Sequence, residues 1–138
     1  MDIAEEPRIM DIGAVKEFCL SLPGAQEQLL GEPANVLIYA VGGKQFAYFK
    51  TSEPQRWRFS IRVTPARFIE LTDQPAVNPA RYMHRFHWVS IVNTQAFDQG
   101  YLKQLIEWSY RKAFSSLPKK TQRTLGPAQV SGSAAADA

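Results

Sequence analysis

The sequence has few of the residue types that bind metals or form covalent cross-links. Its single cysteine, Cys19, excludes a disulfide within the chain. Its two histidines, His84 and His87, have no cysteine or acidic cluster nearby, whereas a protein metal site needs three or four suitable ligands. We therefore expect no metal and no cofactor. Cys19 lies on an apolar stripe, so we expect it to pack in the core rather than act as a nucleophile.

Long apolar runs and catalytic signatures are also missing. No uninterrupted apolar run approaches the ~20 residues of a membrane-spanning helix. The first ten residues carry Asp2, Glu5 and Glu6 where a signal peptide would be apolar. No glycine-rich phosphate loop and no nucleophile elbow is present. These absences favour a cytoplasmic protein that is not an enzyme and has no membrane partner.

The charge is unevenly distributed along the 138 residues, although the formal net charge is only +3. Eight basic residues and three acidic ones lie between residues 44 and 85. Between residues 101 and 125, six basic residues accompany Glu107 alone. Such an asymmetry indicates an anionic partner.

Composition divides the chain into three parts. Residues 1–10 are predicted to be a mobile leader. Residues 11–125 have the length and apolar content of a single domain. Residues 126–138 are mostly glycine, serine and alanine, which bury little apolar area, so a disordered tail is predicted.

Helices are predicted from apolar spacing and from capping residues. The first follows Asp11 and stops at Pro23-Gly24. Thr64-Pro65 opens a short helix, since proline is favoured at the first helical position. The longest helix covers 98–115, and Pro118 starts a last basic one over 119–125. The segments 26–34 and 73–80 are predicted to be loops.

Four strands are predicted, at residues 35–41, 44–51, 56–63 and 86–92. Gly42-Gly43 supplies the tight hairpin turn between the first two. The element order is then α-β-β-β-α-β-α-α. This order predicts an α+β fold, a two-layer sandwich of one twisted antiparallel sheet with helices on one face.

The strand at 56–63 alternates most regularly. Trp57, Phe59, Ile61 and Val63 point to one side and are predicted to face the core, so the intervening arginines would emerge together on the other side. Residues on one side of a strand lie about 7 Å apart, close to the spacing of successive phosphates. Guanidinium groups bind phosphate through two parallel hydrogen bonds.

This arginine series is the centre of a candidate nucleic-acid site. Tyr48 could provide a stacking platform on the same face. The alternative is a solvated face whose arginines pair with Glu53, Glu70 or Asp73. The candidate binding residues are Lys44, Lys50, Arg56, Arg58, Arg62, Arg85, Lys119 and Lys120.

Several short segments, taken in order, resemble the MmcQ/YjbR family. They include the helix end and turn Leu22-Pro23-Gly24-Ala25, the hairpin Val41-Gly42-Gly43-Lys44 and the pair His87-Trp88. The full set of matching segments is 18–25, 41–47, 62–65, 82–88, 109–110 and 117–120. The resemblance implies a fold similar to that of CyaY and frataxin and a double-wing DNA-binding role.

Three functional hypotheses follow from these observations. The first is a non-enzymatic DNA-binding module that contacts phosphates through a basic sheet face and the hairpin tips. The second is a protein-interaction domain, homodimeric in one version, that uses the uncovered sheet face or an edge strand. The third is an enzyme for a small anionic metabolite, which would need a pocket with converging polar groups.

Overall fold

The computed structural model describes residues 9–80 and 86–125, which form six strands and four α-helices. The helices are α1 (Ile12–Ser21), α2 (Pro65–Thr72), α3 (Gln99–Ser115) and α4 (Lys119–Leu125). The strands are β1 (Ala25–Leu30), β2 (Val36–Val41), β3 (Lys44–Lys50), β4 (Phe59–Arg62), β5 (Val77–Pro79) and β6 (Trp88–Ile91). A 3-10 helix, Thr94–Ala96, precedes α3.

The strands form one antiparallel sheet in the order β1-β2-β3-β4-β6-β5. Side chains of α1, α2 and α3 share one apolar core with Phe59, Ile61, Val89 and Ile91 of the central strands. Because alternate residues of a strand point to opposite faces, this core occupies one face of the sheet. The predicted α+β class, with a single antiparallel sheet, is confirmed.

Three helices begin at a capping residue, and the sequence predicts two of these caps, Asp11 and Thr64. The carboxylate of Asp11 accepts a hydrogen bond from the amide of Ala14 at 2.8 Å. The hydroxyl of Thr64 accepts from the amide of Arg67 at 3.1 Å, and Pro65 follows at the first helical position. Asp98 accepts from the amides of Gly100 and Tyr101. These side chains satisfy amides that no helical carbonyl can reach.

Two strands form where loops are predicted, so those two predictions are wrong. All of β1 except its first residue, Ala25, lies within the predicted loop 26–34, and β5 lies within 73–80. Both are edge strands that pair on one side only, β1 with β2 and β5 with β6. An edge strand needs less apolar alternation than a central one, and proline is tolerated there, as at Pro79.

The strand predicted at 56–63 is shorter than expected, because a β-bulge precedes β4. Trp57 has a positive φ of 68° and donates its amide to the carbonyl of Lys50 at 2.6 Å. The amide of Lys50 donates to the carbonyl of Arg58 at 2.9 Å. Trp57 and Arg58 therefore both lie opposite Lys50, which is the definition of a bulge. Arg56 therefore lies in a turn before the strand, where the Arg58 amide donates to the Gln55 carbonyl.

The buried hydroxyl of Ser109 connects α3 to two strands. It donates to the carbonyl of Phe46 at 2.6 Å and accepts from the amide of Arg62 at 3.1 Å. β3 pairs with β4 only from Ala47 to Phe49. The carbonyl of Phe46 and the amide of Arg62 lie directly beyond the end of this pairing. Ser109 thus replaces the next pair of ladder hydrogen bonds.

Ser109→Ala is expected to lower the free energy of unfolding by about 1 to 3 kcal/mol, because it leaves a buried amide and a buried carbonyl without partners. Chemical denaturation measures the loss. The control is Ser115→Ala on the same helix, where the hydroxyl is exposed and bonds only to the carbonyl of Lys112. Equal stability of the two variants would contradict this account.

The predicted leader and tail fall mainly outside the residues that the structure describes. Met10, the last residue of the predicted leader, is buried in the core, and its carbonyl accepts a hydrogen bond from the Thr94 hydroxyl at 3.0 Å. Over residues 9–80 and 86–125, none of the helices has both the length and the apolar character to cross a membrane.

Candidate nucleic-acid interface

The sheet face opposite the helices carries the predicted site. A row of side chains crosses all six strands on this side, through the paired residues Gln28, Ile38, Tyr48, Ser60, Ser90 and Asn78. The hydroxyls of Ser60 and Ser90 lie 2.8 Å apart. We call this surface the open face, because the helices pack on the other side of the sheet. Ile38, Ser60, Trp88 and Ser90 at its centre are buried. Its residues are Gln26, Gln28, Leu30, Val36, Ile38, Ala40, Gln45, Tyr48, Lys50, Arg58, Ser60, Arg62, Asn78, Trp88 and Ser90.

No carboxylate occupies a strand position of the open face in the described sheet. The one acidic residue within the strands, Glu27, pairs across from Tyr39 on the helix-covered side and accepts its hydroxyl hydrogen bond at 2.6 Å. Burial, and then the bond to Glu27, raise the pKa of Tyr39 far above its usual value, so the hydroxyl stays a donor. The sheet therefore keeps its only carboxylate on the other side.

Three cations lie on the open face: Lys50, Arg58 and Arg62. All three are half-buried. The ammonium of Lys50 donates to the carbonyl of Ala34 at 2.9 Å. No carboxylate of the described chain forms an ion pair with any of them. Over residues 9–80 and 86–125, these three cations of the open face are therefore not neutralised by a carboxylate.

One of the acidic residues that could neutralise the arginine series pairs with a member of it, and another pairs outside it. Glu53 lies 3.9 Å from Arg56, and Glu70 lies 3.3 Å from Arg67. Both pairs are exposed, and an exposed ion pair contributes only about 0 to 1 kcal/mol. The alternative of an arginine series that pairs with Glu53, Glu70 or Asp73 therefore holds for Arg56, and among the described residues it does not hold for Arg58 and Arg62.

An aromatic pair lies beside the cations. The rings of Tyr48 and Trp88 have centroids 5.8 Å apart and planes tilted by 33°. Trp88 is buried and Tyr48 is half-buried, so the tyrosine ring is the part that a ligand can reach. Its position fits a stacking platform next to Arg62, which pairs with Trp88 across the strands.

Arg56 does not join the other arginines on the open face. Its guanidinium lies 5.7 Å from the centre of the Trp57 ring and borders a cavity with Asp11 and Gln95, next to α1. The bulge at Trp57 is the physical reason, because it ends the strand alternation before Arg56. The predicted series of three is thus a pair, Arg58 and Arg62.

The remaining candidates do not lie on the open face either. Lys44 is exposed and pairs opposite Val41, a core residue, so its strand position belongs to the helix-covered side. Lys119 and Lys120 are exposed on α4, which packs against the core through its last residue, Leu125. Arg85 lies outside the described residues. Among the described candidates, Lys50, Arg58 and Arg62 therefore share the open face, and the others lie elsewhere.

Cys19 is fully buried in the core, and burial raises the pKa of its thiol far above the usual value. The thiol is therefore protonated and inaccessible, which is the opposite of what a nucleophile needs. Within residues 9–80 and 86–125, no three side chains of histidine, cysteine, aspartate or glutamate are grouped so that they could hold a metal ion.

Two polar residues of the open face, Gln28 and Asn78, were not among the predicted site residues. They lie at the two ends of the row that crosses the sheet. Both belong to strands predicted as loops, so no sequence signal placed them on this face. The strand pairing is the information that was missing.

Arg58→Met is expected to leave the free energy of unfolding unchanged or to raise it by about 1 kcal/mol. The Nε atom of Arg58 is buried and has no hydrogen-bond partner, and an unpaired buried donor is unfavourable. Methionine keeps the apolar stem that packs on the sheet. Urea denaturation with Arg56→Met as the exposed control measures the difference. A loss above about 1 kcal/mol would show that the buried donor has a partner.

Comparison with known proteins agrees with the fold. A family model described as YjbR matches residues 20–112. A crystal structure of a Deinococcus radiodurans protein with a DUF419 domain superposes with a TM-score of 0.73 and 22% identity, covering 87% of this chain and 91% of that one.

A second solved structure, of a protein from Pseudomonas syringae, superposes with a TM-score of 0.59 and 15% identity. It covers 75% of this chain and 99% of that one. At such identities the likeness shows the fold alone. No curated protein matches the sequence.

Proposed function

The chain belongs to the YjbR family, and from this premise we propose that it is a non-enzymatic DNA-binding protein that contacts phosphates through the open face. One observation carries the proposal. The sheet presents Lys50, Arg58 and Arg62 on a face with no carboxylate at its strand positions and with the helices packed on the other side. The family resemblance to double-wing proteins points to the same ligand.

The spacing of the two arginines suits a phosphate backbone. Arg58, directly before β4, and Arg62, at its end, are four residues apart on one side of the sheet, which corresponds to about 13 Å along an extended chain. This distance is about twice the spacing of successive phosphates. Each guanidinium can bind a phosphate through two parallel hydrogen bonds, and Lys50 adds a third charge on the adjacent strand.

The same face predicts weak sequence specificity. It offers no recognition helix to enter a major groove, and phosphate contacts carry no sequence information. Tyr48 is the group that could stack on an unpaired base, which would contribute about 1 to 3 kcal/mol on a single strand. We therefore expect binding to duplex and single-stranded DNA with little dependence on sequence.

Salt dependence tests the proposal directly. With three phosphates neutralised, the logarithm of the binding constant should fall against the logarithm of the salt concentration with a slope of roughly −2.7 for duplex DNA. Fluorescence anisotropy with a labelled 20-base-pair duplex measures this slope. The proposal fails if no binding occurs at low salt, or if the affinity does not change with salt.

A protein-interaction role is the second candidate, and the edge strand β1 favours it. β1 pairs with β2 alone, and its Leu29 is 68% exposed. A second copy or another protein could add a strand there. Light scattering measures the homodimer version. A protein partner would survive nuclease treatment in a pull-down, whereas a complex held together by DNA would not.

Two further parts of the proposal rest on the family resemblance and the proposed role. We propose that the sheet and helices are arranged as in CyaY and frataxin, which a superposition of the backbones would test. We also propose a cytoplasmic location, because a DNA-binding protein must share a compartment with DNA. Microscopy of a fluorescent fusion would check this location.

A further inference from the structure

A groove on the helix side of the molecule lies between the start of α2 and the middle of α3. It has a volume of about 340 Å³, at the lower end of the range for small-molecule sites. Thr64 and Arg67 line it from the beginning of α2. The other wall is a stripe of α3 at helical spacing, formed by Gln104, Glu107, Trp108 and Arg111.

Trp108 is the most unusual of these side chains. It is half-buried, but it is not among the residues that form the core or pack against it. Tyr110 and Phe114 of the same helix are core residues, whereas Trp108 is not. Within the described chain, the indole N–H donates no hydrogen bond. A large aromatic ring lining a polar groove is a ready surface for a flat ligand.

Arg67 is held in place at the other wall. Its Nη1 donates to Glu70 at 3.3 Å and to the hydroxyl of Tyr101 at 3.1 Å. Its guanidinium carbon lies 5.1 Å from the centre of the Tyr101 ring. Both hydrogen bonds use the same nitrogen, so the other donors of the guanidinium remain for a ligand. A guanidinium fixed in this way is preorganised for an anion.

We propose that this groove binds a nucleotide-sized molecule, composed of a flat heteroaromatic ring and one phosphate. The ring would stack on Trp108, and Arg67 and Arg111 would bind the phosphate. The carboxylate of Glu107 would repel a ligand that consists only of an anion. It can accept hydrogen bonds from an amino group on the ring, as can the side-chain carbonyl oxygen of Gln104. This site lies on the opposite layer from the open face, so it does not depend on DNA binding.

Titration of the protein with adenosine monophosphate tests the proposal. The protein has three tryptophans, so a nitrogen-15 spectrum resolves three indole N–H signals, and Trp108→Phe assigns the signal of Trp108. We expect the Trp108 signal to shift saturably, while those of Trp57 and Trp88 stay in place. Adenosine and ribose 5-phosphate, which each lack one half of the ligand, should both bind at least about tenfold more weakly.

Substitutions separate the two halves of the site. Arg67→Gln and Arg111→Gln should each weaken binding of adenosine monophosphate about tenfold and leave the affinity for adenosine unchanged. Lys112→Gln is the matched control, since it removes the same charge from an exposed position of α3 that does not line the groove. The proposal is overturned if no saturable shift occurs, if the Trp88 signal moves instead, or if both arginine variants bind as well as the Lys112→Gln control.

Discussion

The double variant Arg58→Gln plus Arg62→Gln is expected to bind DNA about 100-fold or more weakly at low salt. Each substitution removes a charge-assisted phosphate contact, and such contacts contribute about 1.5 to 3 kcal/mol each. Since about 1.4 kcal/mol corresponds to tenfold in affinity, two contacts exceed two orders of magnitude. The salt dependence should weaken as well, from a slope of roughly −2.7 to roughly −0.9. Anisotropy titrations at four or five salt concentrations provide both quantities.

A matched double variant shows whether position or net charge causes the loss. Lys119→Gln plus Lys120→Gln removes the same two charges from α4, in the helix layer. It acts on the open face only through the long-range field, which salt screens, so we expect a loss of a few-fold at most. Equal losses of DNA affinity in the two double variants would mean that the affinity depends on the total charge of the protein and that the open face is not the binding surface.

The bulge at Trp57 also makes a prediction about Arg56 within the same experiment. Arg56 is exposed, lies 3.9 Å from Glu53 and is off the open face, so Arg56→Gln should leave the DNA affinity within about twofold of the parent. A loss comparable to that of Arg62→Gln would indicate that the turn before β4 also contacts the DNA.

The central strand was predictable because burial leaves a strong pattern in its sequence. Phe59, Ile61 and Val63 alternate with polar residues, and all three are buried against the helices as predicted. The bulge was not predictable, because a residue at positive φ is usually glycine, and here it is Trp57. Packing holds Trp57 in this conformation. Its ring contacts Phe49 edge-on, with the two ring centroids 5.8 Å apart, and the ammonium of Lys16 lies 4.3 Å from the centre of the Trp57 ring.

The edge strands left no comparable pattern. β1 has the sequence Ala-Gln-Glu-Gln-Leu-Leu, which alternates neither in polarity nor in size. It forms a strand because the unpaired edge of β2 offers hydrogen-bonding groups, and all six of its residues pair there. Such a strand depends on its neighbour rather than on its own residues, so tertiary structure overrides local propensity.

The burial pattern of the central strand also made part of the candidate site predictable. The strand alternation fixes Arg58 and Arg62 relative to Phe59 and Ile61, which is why the sequence puts them on the face away from the helices. Lys44 of the hairpin could not be placed, because its side depends on an irregular register. β3 shifts relative to β2 between Tyr39 and Ala40, and this shift puts Lys44 on the helix-covered side.

The hairpin turn that precedes Lys44 yields the stability prediction with the largest effect. Gly42→Ala is expected to lower the free energy of unfolding by about 2 to 5 kcal/mol. Gly42 has a φ of +56°, which is unfavourable for alanine by about 1 to 2 kcal/mol. A Cβ atom there would also lie 2.6 Å from Cδ1 of the buried Leu117 and 3.1 Å from Cδ1 of Leu125. Overpacking of this kind costs a further 1 to 3 kcal/mol or so.

The adjacent glycine separates the two causes. Gly43 has a φ of +85°, but a Cβ atom there would meet nothing within 4 Å. Gly43→Ala should therefore show the backbone effect alone, about 1 to 2 kcal/mol. Denaturant unfolding of both variants gives the steric contribution as their difference. In a Leu117→Ala background, Gly42→Ala should lower the free energy of unfolding by less than it does in the parent, since the shorter side chain removes the clash. If the two glycine variants are equally unstable, or if Gly42→Ala has the same effect in both backgrounds, contact with Leu117 is not what requires glycine at position 42.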